Sequence, residues 1–208
     1  MSPVPARYDG SVFINCPFTP DYQQLFRAIV FAVADCGFVP RSALEKSDSG
    51  ETRIGKLYRI IRECRYGVHD ISVTEPDSIN NLPRFNMPLE LGIFLGAREF
   101  GSRAHRDKGC LILDRERFRY QIFCSDLSGQ DPKAHNGEPA DAVRCIRNWL
   151  RAERPWVRLP SGERMWQRFE KFTSGLPVIC DALLLEPDSL EFHDLTTVIE
   201  EWLRDNPR

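Results

Sequence analysis

One glutamate lies in a segment whose residue types could support chemistry. Glu90 belongs to the stretch RFNMPLELG, which runs from Arg84 to Gly92. Asn86 can cap a helix, Pro88 is tolerated in a first helical turn, and Gly92 lets a helix approach another backbone closely. We therefore predict Glu90 in the first turn of a helix, where the positive end of the helix dipole favours the ionised carboxylate. An anionic carboxylate is what cleavage of a glycosidic bond requires, either as nucleophile or to stabilise an oxocarbenium-like transition state.

Polar residues that end the predicted strands are further candidates for a binding site. Asn15 ends the apolar run SVFIN, and Pro17 and Phe18 follow closely. Asp70 and Ser72 lie within the run VHDISV, towards its end. In open parallel sheets, ligands collect beyond the carboxyl ends of the strands, and a helix entered from the loop after a strand begins at that same edge. The sequence therefore predicts one cleft that joins these five residues to the glutamate.

Three other polar residues and one cysteine carry weaker signals. Arg41 and Arg84 could contact phosphate or ribose, or could simply pair with surface acids. Asn86 is a candidate for substrate contact as well as for the helix cap. Cys16 could be a nucleophile, but no histidine lies near it in the sequence, which favours a packed thiol.

No metal site is predicted. Asp126, Asp131 and His135 lie in a polar stretch, where they could form a metal site or an acid/base pair, or could belong to an ordinary structured loop. The seven cysteines contain no C-x-x-C pair, and the four histidines are scattered along the chain. Both features argue against a zinc site, and the odd number of cysteines argues against a disulfide framework.

Strand-like and helical patterns alternate over the first half of the chain. Short apolar runs predict strands at residues 11–16, 38–44, 68–73 and 110–114. Amphipathic spacing predicts helices at about 22–33, at 54–61 with Gly67 as the stop, and at 87–100. Polar loops are expected at 45–50 and 74–85, and Pro40 suggests an edge position for the second strand. This alternation predicts an α/β fold, with a flavodoxin-like parallel sheet and helices on both faces.

The second half of the chain has a different pattern. Beyond Arg115 the alternation fades into a polar stretch at 123–137, after which a 3.6-residue periodicity dominates. Helices are predicted at 140–151, 163–174 and 195–205. We therefore predict a parallel-sheet domain at 8–131 and a helical C-terminal extension at 132–208 packed on it.

The same residues carry a family resemblance. An N-terminal strand leading into Asn15-Cys-Pro-Phe18, a third strand followed by a loop, and a glutamate that opens the next helix as Glu90-Leu-Gly92 resemble one superfamily. It is shared by nucleoside 2-deoxyribosyltransferases and Toll/interleukin-1 receptor (TIR) domains. The resemblance is strongest to bacterial TIR-like proteins and covers about residues 11–114. In that superfamily the equivalent glutamate cleaves or transfers an N-glycosidic bond, in nucleosides for one branch and in NAD for the other.

The resemblance implies a nucleotide-binding first domain and a function. Glu90 would be the catalytic residue of an N-glycosidic bond hydrolase or transferase acting on a nucleotide or nucleoside. The base would lie near Asn15, Pro17 and Phe18, with the ribose hydroxyls against Asp70. No cofactor is implied, because this cleavage needs only positioning and charge stabilisation, and NAD, if bound, would be a substrate. The alternative is a non-catalytic TIR-like module that senses a nucleotide or assembles with copies of itself through helix surfaces. A structural interaction domain without a ligand is a third possibility.

Composition narrows the class of partner. The 208 residues carry a formal net charge of -2, so no overall basic field favours nucleic acid. Residues 1–10 contain no apolar leader segment, and no run approaches the roughly 18 apolar residues of a membrane span. We therefore expect a cytoplasmic protein that has no membrane partner and binds a nucleotide or nucleoside. The sequence leaves both a monomer and a homo-oligomer open.

Overall fold

The computed structural model describes residues 8–45, 48, 50–76 and 80–208. Parts of the predicted loops at 45–50 and 74–85 therefore lie outside the described residues. The strands are β1 Ser11–Asn15, β2 Val39–Ser42, β3 Tyr66–Asp70, β4 Gly109–Asp114 and β5 Lys133–Ala134. The α-helices are α1 Gln23–Asp35, α2 Arg53–Glu63, α3 Asn86–Phe100, α4 Pro139–Glu153, α5 Gly162–Ala182 and α6 Phe192–Asp205.

The sheet is parallel throughout, with the strand order β2-β1-β3-β4-β5. This order confirms the predicted α/β fold with a flavodoxin-like sheet. The edge position of β2 also confirms the expectation drawn from Pro40, which has no N–H to donate into a ladder.

Helices cover both faces of the sheet, as predicted. Val12 and Ile14 of β1 belong to a core formed with α1, α4, α5 and α6. Phe13, between them, packs instead with Leu57 of α2 and Phe94 of α3. Successive strand residues face opposite sides of a sheet, so a strand between two helical layers has to be apolar throughout. Strand β1, which is paired on both sides, is accordingly buried along its whole length.

Gly67 is not the stop of α2, contrary to the prediction. The helix ends at Glu63, and Gly67 lies inside β3, which begins at Tyr66 instead of at residue 68. A Cβ atom on Gly67 would lie 2.5 Å from Nε2 of His69 and 2.9 Å from the ring of Phe94. Close packing within the sheet therefore requires this glycine, not termination of a helix.

The start of α3 also differs from the prediction. Phe85 occupies the N-cap position, and Asn86 is the first helical residue, because the first helical hydrogen bond runs from the Leu89 N–H to the Phe85 carbonyl at 3.0 Å. Asn86 therefore does not cap the helix, and Glu90 lies in the second turn instead of the first. The difference matters because the helix dipole acts mainly on the first turn.

The sheet extends beyond the predicted boundary at residue 131. Two-residue β5 pairs with β4, with Leu113 opposite Lys133 and Asp114 opposite Ala134. Among the C-terminal helices, α4 packs against α1 and β4, while α5 and α6 pack on α1. Helix α5 runs past its predicted end at 174 and contains Pro177. Within the ranges given above, no helix has the length and apolar character needed to cross a membrane.

A buried ion pair ties α5 to α1. Nε and Nη2 of Arg168 each donate to one carboxylate oxygen of Asp35, both at 3.0 Å. Asp35 is fully buried, and the guanidinium lies 5.1 Å from the centre of the Trp202 ring. This bidentate contact anchors the C-terminal helices to the sheet domain.

Candidate active site

The ends of β1 and β3 meet the start of α3 through one side chain. Asn15 is buried, and its Nδ2 donates to Nδ1 of His69 at 3.0 Å and to the Met87 carbonyl at 2.9 Å. Burial, with the nearby charge of Lys108, lowers the pKa of His69 to about 3, so the ring is neutral and accepts at Nδ1. Asn15 therefore holds both strands and the helix in one arrangement. Both of its amide protons are used inside the protein, and its contact with a substrate stays a prediction.

Asp70, at the end of β3, is the centre of a buried polar cluster. One of its oxygens accepts the Ser72 backbone N–H at 2.8 Å, and the other accepts the Tyr22 hydroxyl. Nε2 of His135 lies 3.1 Å from that second oxygen, close enough for an ion pair, although the N–H direction falls short of an aligned hydrogen bond. Burial alone would raise the pKa of Asp70, but His135, Ser72 and Tyr22 together hold it below its ordinary value. Asp70 is therefore an ionised carboxylate, and its contact with ribose stays a prediction.

His135 has a defined tautomer. Its Nδ1 accepts the backbone N–H of Gly137 at 3.0 Å, so a neutral ring carries its proton on Nε2, the atom that faces Asp70. Gly137 has a φ of +78°, which a glycine adopts without strain and which bends the backbone towards the ring. The short β5 strand places His135 here, since its N–H donates to the Asp114 carbonyl at 3.0 Å.

Glu90 is the buried carboxyl on the helix side of the same edge. The residue is 6% exposed, and no hydrogen bond reaches its carboxyl from the described part of the chain. Burial raises the pKa of Glu90 from 4.5 to about 7, against a smaller opposing effect of Arg53. The expectation that the helix favours its ionised form is therefore wrong, because desolvation in the second turn outweighs the dipole.

The charges of Asp70 and Glu90 both act on the thiol of Cys16. Burial, together with the charges of Asp70 and Glu90, raises the pKa of Cys16 well above its ordinary value. A thiol in this state is not a nucleophile. Asp70 and Glu90 are therefore both within electrostatic reach of the Cys16 thiol.

Arg119 holds the backbone that follows β3. Its guanidinium donates to Asp114 at 2.9 Å, to the Thr74 hydroxyl at 2.9 Å and to the Ser72 carbonyl at 2.6 Å. The second oxygen of Asp114 is buried without a partner among the described residues. Burial raises the pKa of Asp114 although Arg119 opposes it, and the charge of Asp70 adds to the rise. Arg119 thereby fixes one wall of the site.

A cavity of about 450 Å³ opens at this edge of the sheet, between the start of α1 and the loop before α6. Pro17, Phe18, Phe26 and Leu44 supply much of its apolar lining. Phe18 is 40% exposed and packs edge-on against Phe26, with ring centres 5.5 Å apart. Neither Asp70 nor Glu90 lines this cavity. Two of the predicted residues, Pro17 and Phe18, thus line an apolar pocket that follows the end of β1.

The remaining predicted residues lie outside the buried cluster. Arg41 donates to both carboxylate oxygens of Glu45 and to one of Glu63. These contacts agree with the alternative that Arg41 pairs with acidic residues. Arg84 and Asn86 are exposed near the start of α3. A substrate contact from any of the three stays a prediction.

The sequence patterns do not select Tyr22, and they indicate His135 only as part of a polar stretch with Asp126 and Asp131. Tyr22 begins the predicted helix at 22–33, and its hydroxyl gives no sequence signal. His135 was weighed with Asp126 and Asp131, yet Asp131 forms an ion pair with Lys133 and is exposed. Within the described residues, no group of three metal-binding side chains comes together.

Comparison of the chain with protein-family models, with curated proteins and with solved structures finds no match. The class that the structure defines is therefore a five-stranded parallel α/β protein with a polar site at the carboxyl edge of its sheet.

Proposed function

We propose that this protein cleaves or transfers the N-glycosidic bond of a nucleoside or nucleotide, NAD included, with Glu90 as the catalytic carboxylate. The observation that carries the proposal is the state of Glu90: 6% exposed, without a hydrogen-bond partner among the described residues, and with its pKa raised to about 7. The residue is buried, yet its carboxyl oxygens are not among the fully enclosed unpaired atoms in the described part of the chain, so a ligand or water can reach them. A desolvated, titratable carboxyl at the ligand-binding edge of a parallel sheet is typical of an active site.

The chemistry follows from where charge develops. When the bond from the ribosyl C1′ to the base nitrogen breaks, the electron pair leaves with the base and positive charge grows on the sugar. An ionised Glu90 in a poorly solvated site stabilises this charge, or forms a glycosyl ester that an acceptor then resolves. Water supplies the new oxygen in hydrolysis, and a second base supplies nitrogen in transfer. A cationic base in the substrate would itself favour the ionised carboxyl.

The two buried carboxylates have separate roles in this proposal. The environment of Asp70 lowers its pKa, whereas burial raises that of Glu90 to about 7. Two carboxyl groups whose pKa values differ in this way can serve different purposes, one structural and one chemical. Asp70 stays ionised and fixes Tyr22 and His135, which keeps the edge rigid. Of these two carboxyls, Glu90 is the one that changes its protonation state near neutral pH.

The apolar cavity supplies a place for the base. The ring of Phe18 and the side chains of Pro17 and Leu44 line it, and a planar base buries apolar area against such surfaces. The resemblance to TIR-like proteins and nucleoside 2-deoxyribosyltransferases supports the same assignment, since it rests on the segment from Asn15 to Phe18 and on Glu90.

A substrate panel tests this proposal. Purified protein is incubated with NAD and with purine and pyrimidine nucleosides and nucleotides, and chromatography detects the free base. We expect base release from at least one member, with free ribosyl product in water or an exchanged base when a second base is added. Ligands that bind but stay intact across the whole panel would contradict an enzymatic role.

One observation favours a second candidate, a non-catalytic module that senses a nucleotide or assembles with its own copies. Large apolar side chains on and beside the C-terminal helices are exposed: Trp156 by 77%, Val178 by 75% and Leu184 by 95%. Exposed apolar surface of this kind marks contact sites in many proteins. Light scattering with and without NAD distinguishes the candidates, because a module of this type would change its oligomeric state without releasing base.

A further inference from the structure

A second concave surface has a cationic lining. Five basic side chains surround a cavity of about 630 Å³: Arg158, Arg164, Arg168, Lys171 and Arg208. No acidic residue is among those that line it. We call this surface the basic groove. It concentrates positive charge in a chain whose formal net charge is -2.

Most cations of the basic groove lack a counter-charge. Arg168 is held by Asp35, but the other four side chains make no salt bridge and no hydrogen bond with any residue in the described ranges. Single exposed arginines elsewhere, such as Arg62 and Arg103, also form no ion pair with the described residues, but the basic groove brings several such cations around one cavity. Several like charges around one cavity repel one another unless an anion compensates them.

The cations converge from separate segments of the chain. Arg164, Arg168 and Lys171 share one face of α5, because residues three and four apart are neighbours on a helix. Arg208 comes from the segment after α6, and its Nη2 would lie 3.1 Å from a Cβ atom on Gly37. Together with Arg158, which precedes α5, they line one open cavity.

The basic groove lies at the opposite edge of the sheet from the candidate active site. Helix α1 follows β1, so it runs from the carboxyl edge back to the amino edge. Gly37, which lies near the Arg208 guanidinium, is between the end of α1 and the start of β2. Glu90 and Asp70 lie at the carboxyl edge. The two sites therefore cannot share one small ligand.

We propose that the basic groove binds a small polyphosphate, a ligand with two or more linked phosphate groups. Guanidinium groups bond phosphate oxygens in pairs, and a lysine adds a mobile point charge. The cavity volume, about 630 Å³, lies within the usual range for small-molecule sites. Cations gathered around one cavity fit a compact polyanion, whereas an extended strand of nucleic acid needs a long basic track.

Isothermal titration calorimetry with inorganic triphosphate, pyrophosphate and orthophosphate tests this site. The groove variant is Arg164→Ala/Lys171→Ala, and the matched control is Arg62→Ala/Arg103→Ala, which removes two exposed cations elsewhere. We expect the wild type to bind triphosphate more tightly than orthophosphate. The groove variant should weaken triphosphate affinity by about tenfold or more, and the control by less than about twofold. Circular dichroism verifies the fold of each variant.

Three results would overturn the proposal. Triphosphate could bind no more tightly than orthophosphate, the groove and control variants could lose affinity equally, or a single-stranded oligonucleotide could bind the groove more tightly than triphosphate. Glu90→Gln should leave triphosphate affinity unchanged, because the sites lie at opposite edges. A failure here is thus distinguishable from a failure of the proposed catalytic function.

Discussion

Replacing Glu90 with glutamine should stabilise the folded protein at alkaline pH and leave its stability unchanged in acid. Burial raises the pKa of Glu90 from its ordinary 4.5 to about 7, which means that the folded state disfavours the ionised form. Between these two pH values the folded protein binds the proton more tightly than the unfolded chain, so stability falls as pH rises. Glutamine has the same size but no charge to desolvate.

The magnitude follows from the two pKa values. Each pH unit between 4.5 and about 7 corresponds to about 1.4 kcal/mol, which gives a destabilisation of at most about 3 kcal/mol from ionised Glu90 above pH 7, because solvent that reaches the carboxyl reduces the cost. This destabilisation is fully present above pH 7, declines as the pH falls through 7, and is absent below 4.5, where the carboxyl is protonated in both states.

Urea unfolding of wild type and Glu90→Gln at pH 5 to 8 measures the difference. We expect the variant to gain up to about 3 kcal/mol at pH 8 and less than about 1 kcal/mol at pH 5, where only part of the unfolded-state carboxyl is ionised. Glu99→Gln, an exposed position on the same helix, should show no such pH dependence. A Glu90→Gln variant that is equally stable or less stable at pH 8 would refute the reasoning, because the carboxyl would then be solvated or paired.

Three further predictions concern activity and packing. The kcat/KM of the proposed reaction should fall tenfold per pH unit below about pH 7 and level off above it, if ionised Glu90 is required; a profile that falls above pH 7 would instead indicate a general acid. Arg168→Ala should lower the free energy of unfolding by about 3–5 kcal/mol, because Asp35 is left buried and unpaired, while Arg164→Ala on the same helix face changes it by less than about 0.5 kcal/mol. Gly67→Ala should lower the free energy of unfolding by about 1–3 kcal/mol, since the new Cβ would lie 2.5 Å from a buried ring nitrogen. For Arg168→Ala or Gly67→Ala, a urea midpoint equal to that of the wild type would contradict the corresponding prediction.

The sheet could be predicted because buried parallel strands leave a strong signal. Apolar runs such as the one ending at Asn15 alternate with amphipathic helices, and this pattern fixes fold class and the two-sided cover of the sheet. Strand β5 left no such signal, because two residues cannot show periodicity. The prediction that Gly67 ends a helix is wrong because the sequence does not distinguish a glycine required by side-chain packing from one that ends a helix.

The sequence predicts the edge of the sheet at which the candidate site lies, but not the hydrogen bonds and ion pairs within the site. Strand ends and the start of α3 pointed to Asn15, Asp70 and Glu90, which the structure places at one edge. The contacts of Asp70 with Tyr22 and His135 join residues far apart in the chain, so no local pattern contains them. The raised pKa of Glu90 likewise depends on tertiary burial.

The most direct test of the central claim is the rate of base release by wild type, Glu90→Gln and Glu99→Gln on the best substrate of the panel. The account predicts that Glu90→Gln loses about 100-fold or more in kcat, since one preorganised electrostatic contact is worth about 2.7–4 kcal/mol in the transition state. The dissociation constant of the substrate should change little, and Glu99→Gln should match the wild type. Equal turnover by Glu90→Gln and wild type would contradict the assignment of Glu90 as the catalytic carboxylate.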